Sequence, residues 1–196
     1  MAKNNVRALI FGITGQDGAY LAKLLLEKGY VVHGTTRDIK NATEGNLAKL
    51  GIGGRVIVHR AVLTDFQSVK QVLNDAEPGE IFNLAGLTSV GLSFEQPDEA
   101  FDSIVGGTLN ILKAIRTDGQ SVRFYNACSS ECFGDTGETP ATEETPFTPV
   151  SPYATAKAEA FRHVADLRET HGLFACSGIM FNHESPLRPP RFVTRK

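Results

Sequence analysis

Apolar and polar positions along this chain follow two alternating rhythms. Short runs dense in Val, Ile, Leu and Phe occur at residues 6–11, 30–34, 55–59, 80–84, 122–127 and 173–180. Runs of this kind predict strands buried on both faces, as in a parallel sheet. Stretches with helical spacing separate them. Over residues 18–28, Leu21, Leu24 and Leu25 share one face, and Gly29 follows as a stop signal. Further helices are predicted over residues 68–75 and 101–117. The clearest helical signal begins at Ser151, a capping residue, with Pro152 suited to the first helical position and Gly172 to the far end. Strands alternating with helices in this way predict an α/β fold built on a doubly wound parallel sheet. Two stretches break the alternation. Residues 41–54 carry Gly45, Gly51, Gly53 and Gly54 and predict a loop around a short helix. Residues 134–149, rich in Thr, Glu and Pro without an apolar period, predict an exposed loop near the site. No repeat or linker divides the chain, so one domain is expected over residues 1–196.

Composition narrows the function classes. With 41% apolar and 21% charged residues the chain has the make-up of an ordinary globular domain. A formal charge of −2 offers no broad electrostatic footprint for nucleic acid or an anionic lipid surface. Any anionic ligand must then be held by a local arrangement. No apolar stretch approaches the roughly 20 residues needed to span a bilayer, and residues 1–7 are polar, unlike a signal peptide. A cytoplasmic chain with neither membrane nor nucleic-acid partner is the expectation. Cys128, Cys132 and Cys176 are odd in number and lack metal-ligand spacing, so reduced thiols and no metal site are expected.

The first predicted strand runs into Gly12-Ile13-Thr14-Gly15-Gln16-Asp17-Gly18 and then into a helix. This is a G-x-x-G-x-x-G turn in the context that binds dinucleotides. Its glycines allow a sharp turn and close approach to a pyrophosphate, whose charge meets the free N–H groups and positive dipole end of the helix. The competing reading is a strand–helix turn that holds nothing. The end of the second strand discriminates between coenzymes. NAD-binding domains usually place a carboxylate there for the ribose 2′-hydroxyl, whereas here Thr36 is followed by Arg37. A guanidinium suits a 2′-phosphate, which favours NADP. Asp38 leaves the NAD alternative open, and Arg37 as a solvated surface charge is the plain alternative.

Tyr153-Ala154-Thr155-Ala156-Lys157 lies on the well-capped helix, and spacing of four puts phenol and ammonium one turn apart on the same face. A free tyrosine, with a pKa of about 10, is a poor base at neutral pH. The Lys157 cation and a positive nicotinamide ring favour the phenolate and make Tyr153 a usable acid/base. The fifth strand ends in Ala127-Cys128-Ser129-Ser130-Glu131, and strand carboxyl ends are where ligands lie in this architecture. Ser129 is placed to bond the same substrate oxygen as Tyr153, or else to cap its own turn. Glu131 adds a second proton-transfer group, which a simple ketone reduction does not need. An exposed loop glutamate is the alternative.

At this point the strings converge on a family. Gly12 to Gly18, Phe82-Asn83-Leu84-Ala85, Ser129-Ser130-Glu131, Ser151-Pro152-Tyr153 with Lys157, Phe181-Asn182-His183-Glu184-Ser185-Pro186 and Phe192-Val193-Thr194-Arg195-Lys196 resemble the GDP-mannose 4,6-dehydratases, members of the extended short-chain dehydrogenase/reductase group. The resemblance covers essentially the whole chain. It implies a Rossmann domain followed, from about residue 182, by the start of a sugar-nucleotide lobe that is otherwise missing. It implies tightly bound NADP contacted by Gly12, Ile13, Thr14, Gly15, Gln16, Asp17, Gly18, Arg37, Leu63, Leu84, Lys157, His183 and Arg188. Ser129, Glu131, Tyr153 and Lys157 would be catalytic, and Thr88, Ser130 and Asn182 would meet the sugar nucleotide. The implied reaction turns GDP-mannose, or a related GDP sugar, into its 4-keto-6-deoxy form, in a homodimer or homotetramer. Two alternatives stand beside it: an NADP-dependent nucleotide-sugar 4-ketoreductase or epimerase, and a catalytically silent NADP-binding fragment. The chain departs from the family pattern at Val62, Asp38, Ser129, Phe133, Leu87-Thr88 and Glu99, which points to a divergent branch, one acting on a heptose for example. Family members also run well beyond the last string, which leaves one face of the domain to be covered by something else.

Overall fold

Ala8, Leu9, Ile10 and Phe11 are all fully buried, so the first strand runs through the middle of the molecule. The computed structural model describes residues 6–119, 121–189 and 192. In it, six strands form one sheet: β1 (Arg7–Phe11), β2 (Val31–Thr36), β3 (Ile57–Arg60), β4 (Glu80–Asn83), β5 (Arg123–Ser129) and β6 (Ala175–Met180). All pairings are parallel, in the order β3-β2-β1-β4-β5-β6. This is the Rossmann arrangement. Strand order reverses between β1 and β4, and the carboxyl ends there open the crevice in which such sheets hold ligands.

Helices cover both faces. α1 (Gln16–Glu27) packs on β1 and β2, followed by the short α2 (Ile39–Glu44) and α3 (Asn46–Lys49). α4 (Phe66–Ala76), α7 (Gly107–Asp118) and α8 (Pro152–His171) line the other face, with α5 (Val90–Glu95) and α6 (Pro97–Phe101) packed against α8. One core cluster joins Leu9, Phe11, Ile81 and Phe124 to Val69, Leu73, Ile111 and Val164 of these helices. The opposite cluster joins Ala8, Ile10 and Val32 to Ala19, Ala22 and Leu25.

Several boundaries differ from expectation. The buried face of α1 is Ala19, Ala22 and Leu25, while Leu24 is turned outward at 48% exposure. Small residues let that helix sit close on the sheet. The helix expected over residues 101–117 opens, directly after α6, with one wide turn over Asp102–Gly106 with π-type bonding and continues as α7. That turn presents both Ile104 and Val105 to Ala156 and Ala160 of α8. The stretch over residues 41–54 holds α2, α3 and a 3₁₀ turn at Gly53–Arg55, which delays β3 to Ile57. Residues 134–149 contain neither helix nor strand, as expected.

Coverage is uneven. On the α1 side, Phe82 and Tyr125 lie ring to ring, 6.2 Å apart and only half-buried. Phe174 and Phe181, flanking β6, are 69% and 60% exposed. A stacked histidine pair, His33 buried and His59 half-buried, sits on the other face of the sheet. His33 Nδ1 is 2.9 Å from His59 Nε2 with the rings stacked, and burial followed by the His59 charge pushes the His33 pKa down. The segment Val193 to Lys196, part of the last family string, lies outside the described residues.

Candidate active site

The glycine turn is shaped by three close approaches. Gly12 has φ +85° and lies so near β4 that a Cβ would meet the Leu84 carbonyl oxygen at 2.9 Å. A Cβ on Gly18 would meet the Gly12 carbonyl oxygen at 2.4 Å, so only glycine lets α1 start this close to the strand. Gly15 caps α1 without a side-chain acceptor, leaving the first backbone N–H groups of the helix for another partner. Those donors and the tight turn fit a pyrophosphate. The Ile13 side chain points into the core, packed against Gly34, so this residue offers the crevice only its backbone. Asn46 of α3 donates to the Thr14 carbonyl at 3.0 Å and braces the turn from outside.

A second brace comes from the far end of the chain. His183 Nε2 lies 2.7 Å from Asp17 Oδ1, and Ser185 donates to Gln16 Oε1 at 2.7 Å. Gln16 in turn donates to the His183 carbonyl at 3.4 Å, and Leu187 is buried among the α1-side core residues. The Phe181 carbonyl and then the Asp17 carboxylate hold the His183 pKa above the ordinary value. Arg188 is drawn elsewhere: Nε is 3.3 Å from Glu184, and the guanidinium lies 3.7 Å over the Phe192 ring. Asn182 is exposed beside His183.

Beyond β2, Arg37 is exposed on the crevice rim. Asp38 is folded back, its Oδ1 accepting from the Lys40 N–H at 2.9 Å as α2 begins, which takes that carboxylate oxygen into a local turn. Leu63 accepts from Asn110 through its carbonyl at 2.8 Å and packs its side chain on Gly107. Leu84 is half-buried where β4 ends, and Thr88 is exposed in the loop that follows.

The catalytic candidates meet where β5 passes under α8. Ser151 caps α8 by accepting from Ala154 N–H at 3.1 Å, with Pro152 next. This cap places Tyr153 in the first turn, where its N–H donates to Ser93 of α5 at 3.1 Å. Lys157, one turn on, is buried and donates from Nζ to the Ala127 carbonyl at 2.8 Å, with Nζ 5.9 Å from the Tyr153 ring centre. Ser129 ends β5; its Oγ accepts from Glu131 N–H at 3.3 Å, opening the 3₁₀ turn Ser130–Phe133. The turn-capping role of Ser129 is therefore present, and its hydroxyl also lies close enough to hydrogen-bond the Tyr153 side chain. Glu131 is half-buried and near enough to act on Tyr153 by its charge, and Ser130 beside it is half-buried.

Electrostatics qualify one expectation. Burial pushes the Tyr153 pKa up, the Ser129 hydrogen bond works against the rise, and the charges of Cys132, Cys128 and Glu131 add to it. Burial likewise pushes Lys157 down. The activation expected of Lys157 is therefore outweighed, in the protein alone, by desolvation of the phenol. Ser93, Asn46 and Asn110, which anchor the site from outside, carry no sequence signal beyond Ser89 as the cap of α5, since their partners are distant in the chain. Among the described residues no cluster of three or more His, Cys, Asp or Glu could hold a metal, and no helix is long and apolar enough to cross a membrane.

Comparison with known proteins gives a consistent picture. Residues 9–196 match the family model described as GDP-mannose 4,6 dehydratase. The chain is 46% identical over 197 residues to the GDP-mannose 4,6 dehydratase of Drosophila melanogaster, covering 96% of this chain and 50% of that protein. It is 45% identical to the Homo sapiens GDP-mannose 4,6 dehydratase, covering 100% of this chain and 55% of the relative. The chain thus spans about half the length of these relatives. In fold, it superposes on a dTDP-glucose 4,6-dehydratase of Streptomyces venezuelae solved with NAD (TM-score 0.86, 22% identity, 97% of this chain and 60% of that one). It also superposes on RMD of Pseudomonas aeruginosa complexed with NADPH (TM-score 0.74, 24% identity, 96% and 58%). By the match over nearly its whole length, the chain belongs to the GDP-mannose 4,6-dehydratase family.

Proposed function

We propose that this chain carries the coenzyme-binding and catalytic part of a nucleotide-sugar 4,6-dehydratase acting on GDP-mannose or a related GDP sugar. The observation that carries this reading is the gathering of Ser129, Glu131, Tyr153 and Lys157 at one strand end beneath one helix turn. NADP is the coenzyme the crevice suits: exposed Arg37 is available to a 2′-phosphate, while Asp38 bends back into its own turn. When bound, it supplies the transient acceptor of hydride from sugar carbon 4, returned at carbon 6, and a positive ring whose charge favours the phenolate.

The protein's own groups do the proton work. Tyr153 takes the proton of the 4-hydroxyl, with Ser129 hydrogen-bonded to the same oxygen. Lys157, fixed on the Ala127 carbonyl, keeps a positive charge beside the ring. A ketone at carbon 4 acidifies the hydrogen on carbon 5. The Glu131 carboxylate removes that proton and delivers it to the departing 6-hydroxyl, which leaves as water. As hydride returns to carbon 6, a proton, exchanged with solvent and replacing the one Tyr153 took up, is added back at carbon 5. No net oxidation results, so the coenzyme is restored within each turnover.

The test is incubation with GDP-mannose, reading the alkaline absorbance of a 4-keto sugar and the mass of the bound coenzyme. Glu131→Gln should lower keto product and deuterium incorporation at carbon 5 together by about 10²-fold or more. Unchanged exchange and turnover in that variant would favour a ketoreductase or epimerase. One observation supports a binding-only reading: Asn182, an expected sugar-nucleotide contact, is exposed. Coenzyme present without keto product would favour it.

A further inference from the structure

Two of the three free cysteines lie side by side beneath the site. Cys128 is the penultimate residue of β5 and Cys132 belongs to the 3₁₀ turn after it, so they bracket Ser129, Ser130 and Glu131. Both are buried, with their Sγ atoms 3.6 Å apart. From the helix side, Cys128 Sγ is 3.9 Å from the Lys157 carbonyl and Cys132 Sγ is 3.6 Å from the Ala154 carbonyl. The pair is wedged under the turn that carries Tyr153 and Lys157. Ala158, Phe147, Phe161 and Ile179 complete an apolar surround. The dehydration uses neither thiol.

We propose that Cys128 and Cys132 form a redox modification site, which a small hydroperoxide closes into an intrachain disulfide across the Ser129–Glu131 segment. The two sulfurs are suited to unequal roles. The hydrogen bond with Cys132 holds the Cys128 pKa down, with the Ser129 backbone and the Lys157 charge acting the same way against burial, while Cys132 is pushed up. Cys128 is then the attacking sulfur and Cys132 the resolving one. Cys128 sulfur attacks a peroxide oxygen; the O–O bond breaks, an S–O bond forms, and water or an alcohol leaves with the thiol proton. Cys132 sulfur then attacks Cys128 sulfur; the S–S bond forms, the S–O bond breaks, and water carries off the second proton. The two thiols lose two electrons and the peroxide gains them. Burial of both sulfurs restricts the oxidant to a small one. Closure draws the sulfurs from 3.6 Å to about 2.05 Å and shifts Ser129 and Glu131 relative to Tyr153. The disulfide chemistry stands apart from the proposed dehydration; only its effect on turnover rests on that reading.

The experiment uses a Cys176→Ser background, which removes the exposed thiol. The protein is treated with hydrogen peroxide, unfolded, alkylated and weighed. The expected result is escape of both remaining cysteines from alkylation, with a mass lower by about 2 Da, fully reversed by dithiothreitol. Cys132→Ser in the same background should stop at a sulfenic acid on Cys128, trapped by dimedone. Alkylation of both cysteines after peroxide, or their recovery as separate sulfinic acids, would overturn the site. Mass reads this outcome whether or not the chain turns over substrate. Where keto product is formed, oxidation should lower it about 10²-fold, the scale of an ångström misplacement. A disulfide formed with full turnover would overturn the link to Ser129 and Glu131.

Discussion

The phenol of Tyr153 sits where burial, a hydroxyl and a carboxylate all act on it. Tyr153→Phe keeps the ring that packs on Ile104, Val105, Ala156 and Ala160 but deletes the proton acceptor. It should lower keto-sugar formation by about 10²–10⁴-fold while coenzyme stays bound, checked by product absorbance and native mass. His183 makes a pH-dependent prediction. Its folded pKa is raised, so its bond to Asp17 contributes fully below the ordinary value of 6.5 and fades as pH rises through the raised value. His33 works in the opposite direction, because its pKa is lowered and acidification must charge a buried ring. Comparing wild type with His183→Gln cancels the His33 contribution. The difference in thermal midpoint between the two proteins should be greatest on the acid side and shrink toward alkaline pH. At this scale the sequence showed which candidate residues the fold brings together, because Tyr153 and Lys157 are one helical turn apart and Ser129 and Glu131 share one strand end. It did not show the braces on Gln16 and Asp17, whose partners lie more than 160 residues away.

Elements were legible where period and punctuation agreed. α8 begins and ends where Ser151, Pro152 and Gly172 predict, since the cap, the proline and the left-handed glycine each fix one end. All six strands fall where the apolar runs lie, with starts displaced by at most two residues. The helices α5 and α6 escaped notice because six and five residues are too few to establish a period. The wide turn at Asp102–Gly106 escaped because its cause is the fit of Ile104 and Val105 against α8, a tertiary demand. Two substitutions test how tightly the elements are set. Ser151→Ala removes the side-chain acceptor that caps α8 and should cost about 1 kcal/mol, seen as a lower urea midpoint. Gly18→Ala places a Cβ 2.4 Å from the Gly12 carbonyl oxygen, so α1 must move back. It should cost about 1–3 kcal/mol in stability and weaken coenzyme binding in a titration.

At the scale of the molecule the unequal cover of the sheet stands out. Exposed apolar rings at Phe174 and Phe181, at opposite ends of β6, and half-buried Phe82 and Tyr125 on β4 and β5 give the domain an adhesive character. The chain should bind an apolar fluorescent dye in the folded state, and replacing Phe174 and Phe181 together by serine should reduce that signal. Loss of stability should stay within about 0.5 kcal/mol per site, as for surface positions. The brace on the glycine turn has a different consequence, in time. Asp17 is made early, but its partner His183 follows 166 residues later, and Ser185 and Leu187 later still. While the polypeptide grows on the ribosome, the first strand and helix are already formed, yet the acid and amide at the mouth of the crevice have nothing to grip. Completion of this turn is then a late event in biogenesis, and a nascent chain arrested before residue 183 would carry an unbraced mouth.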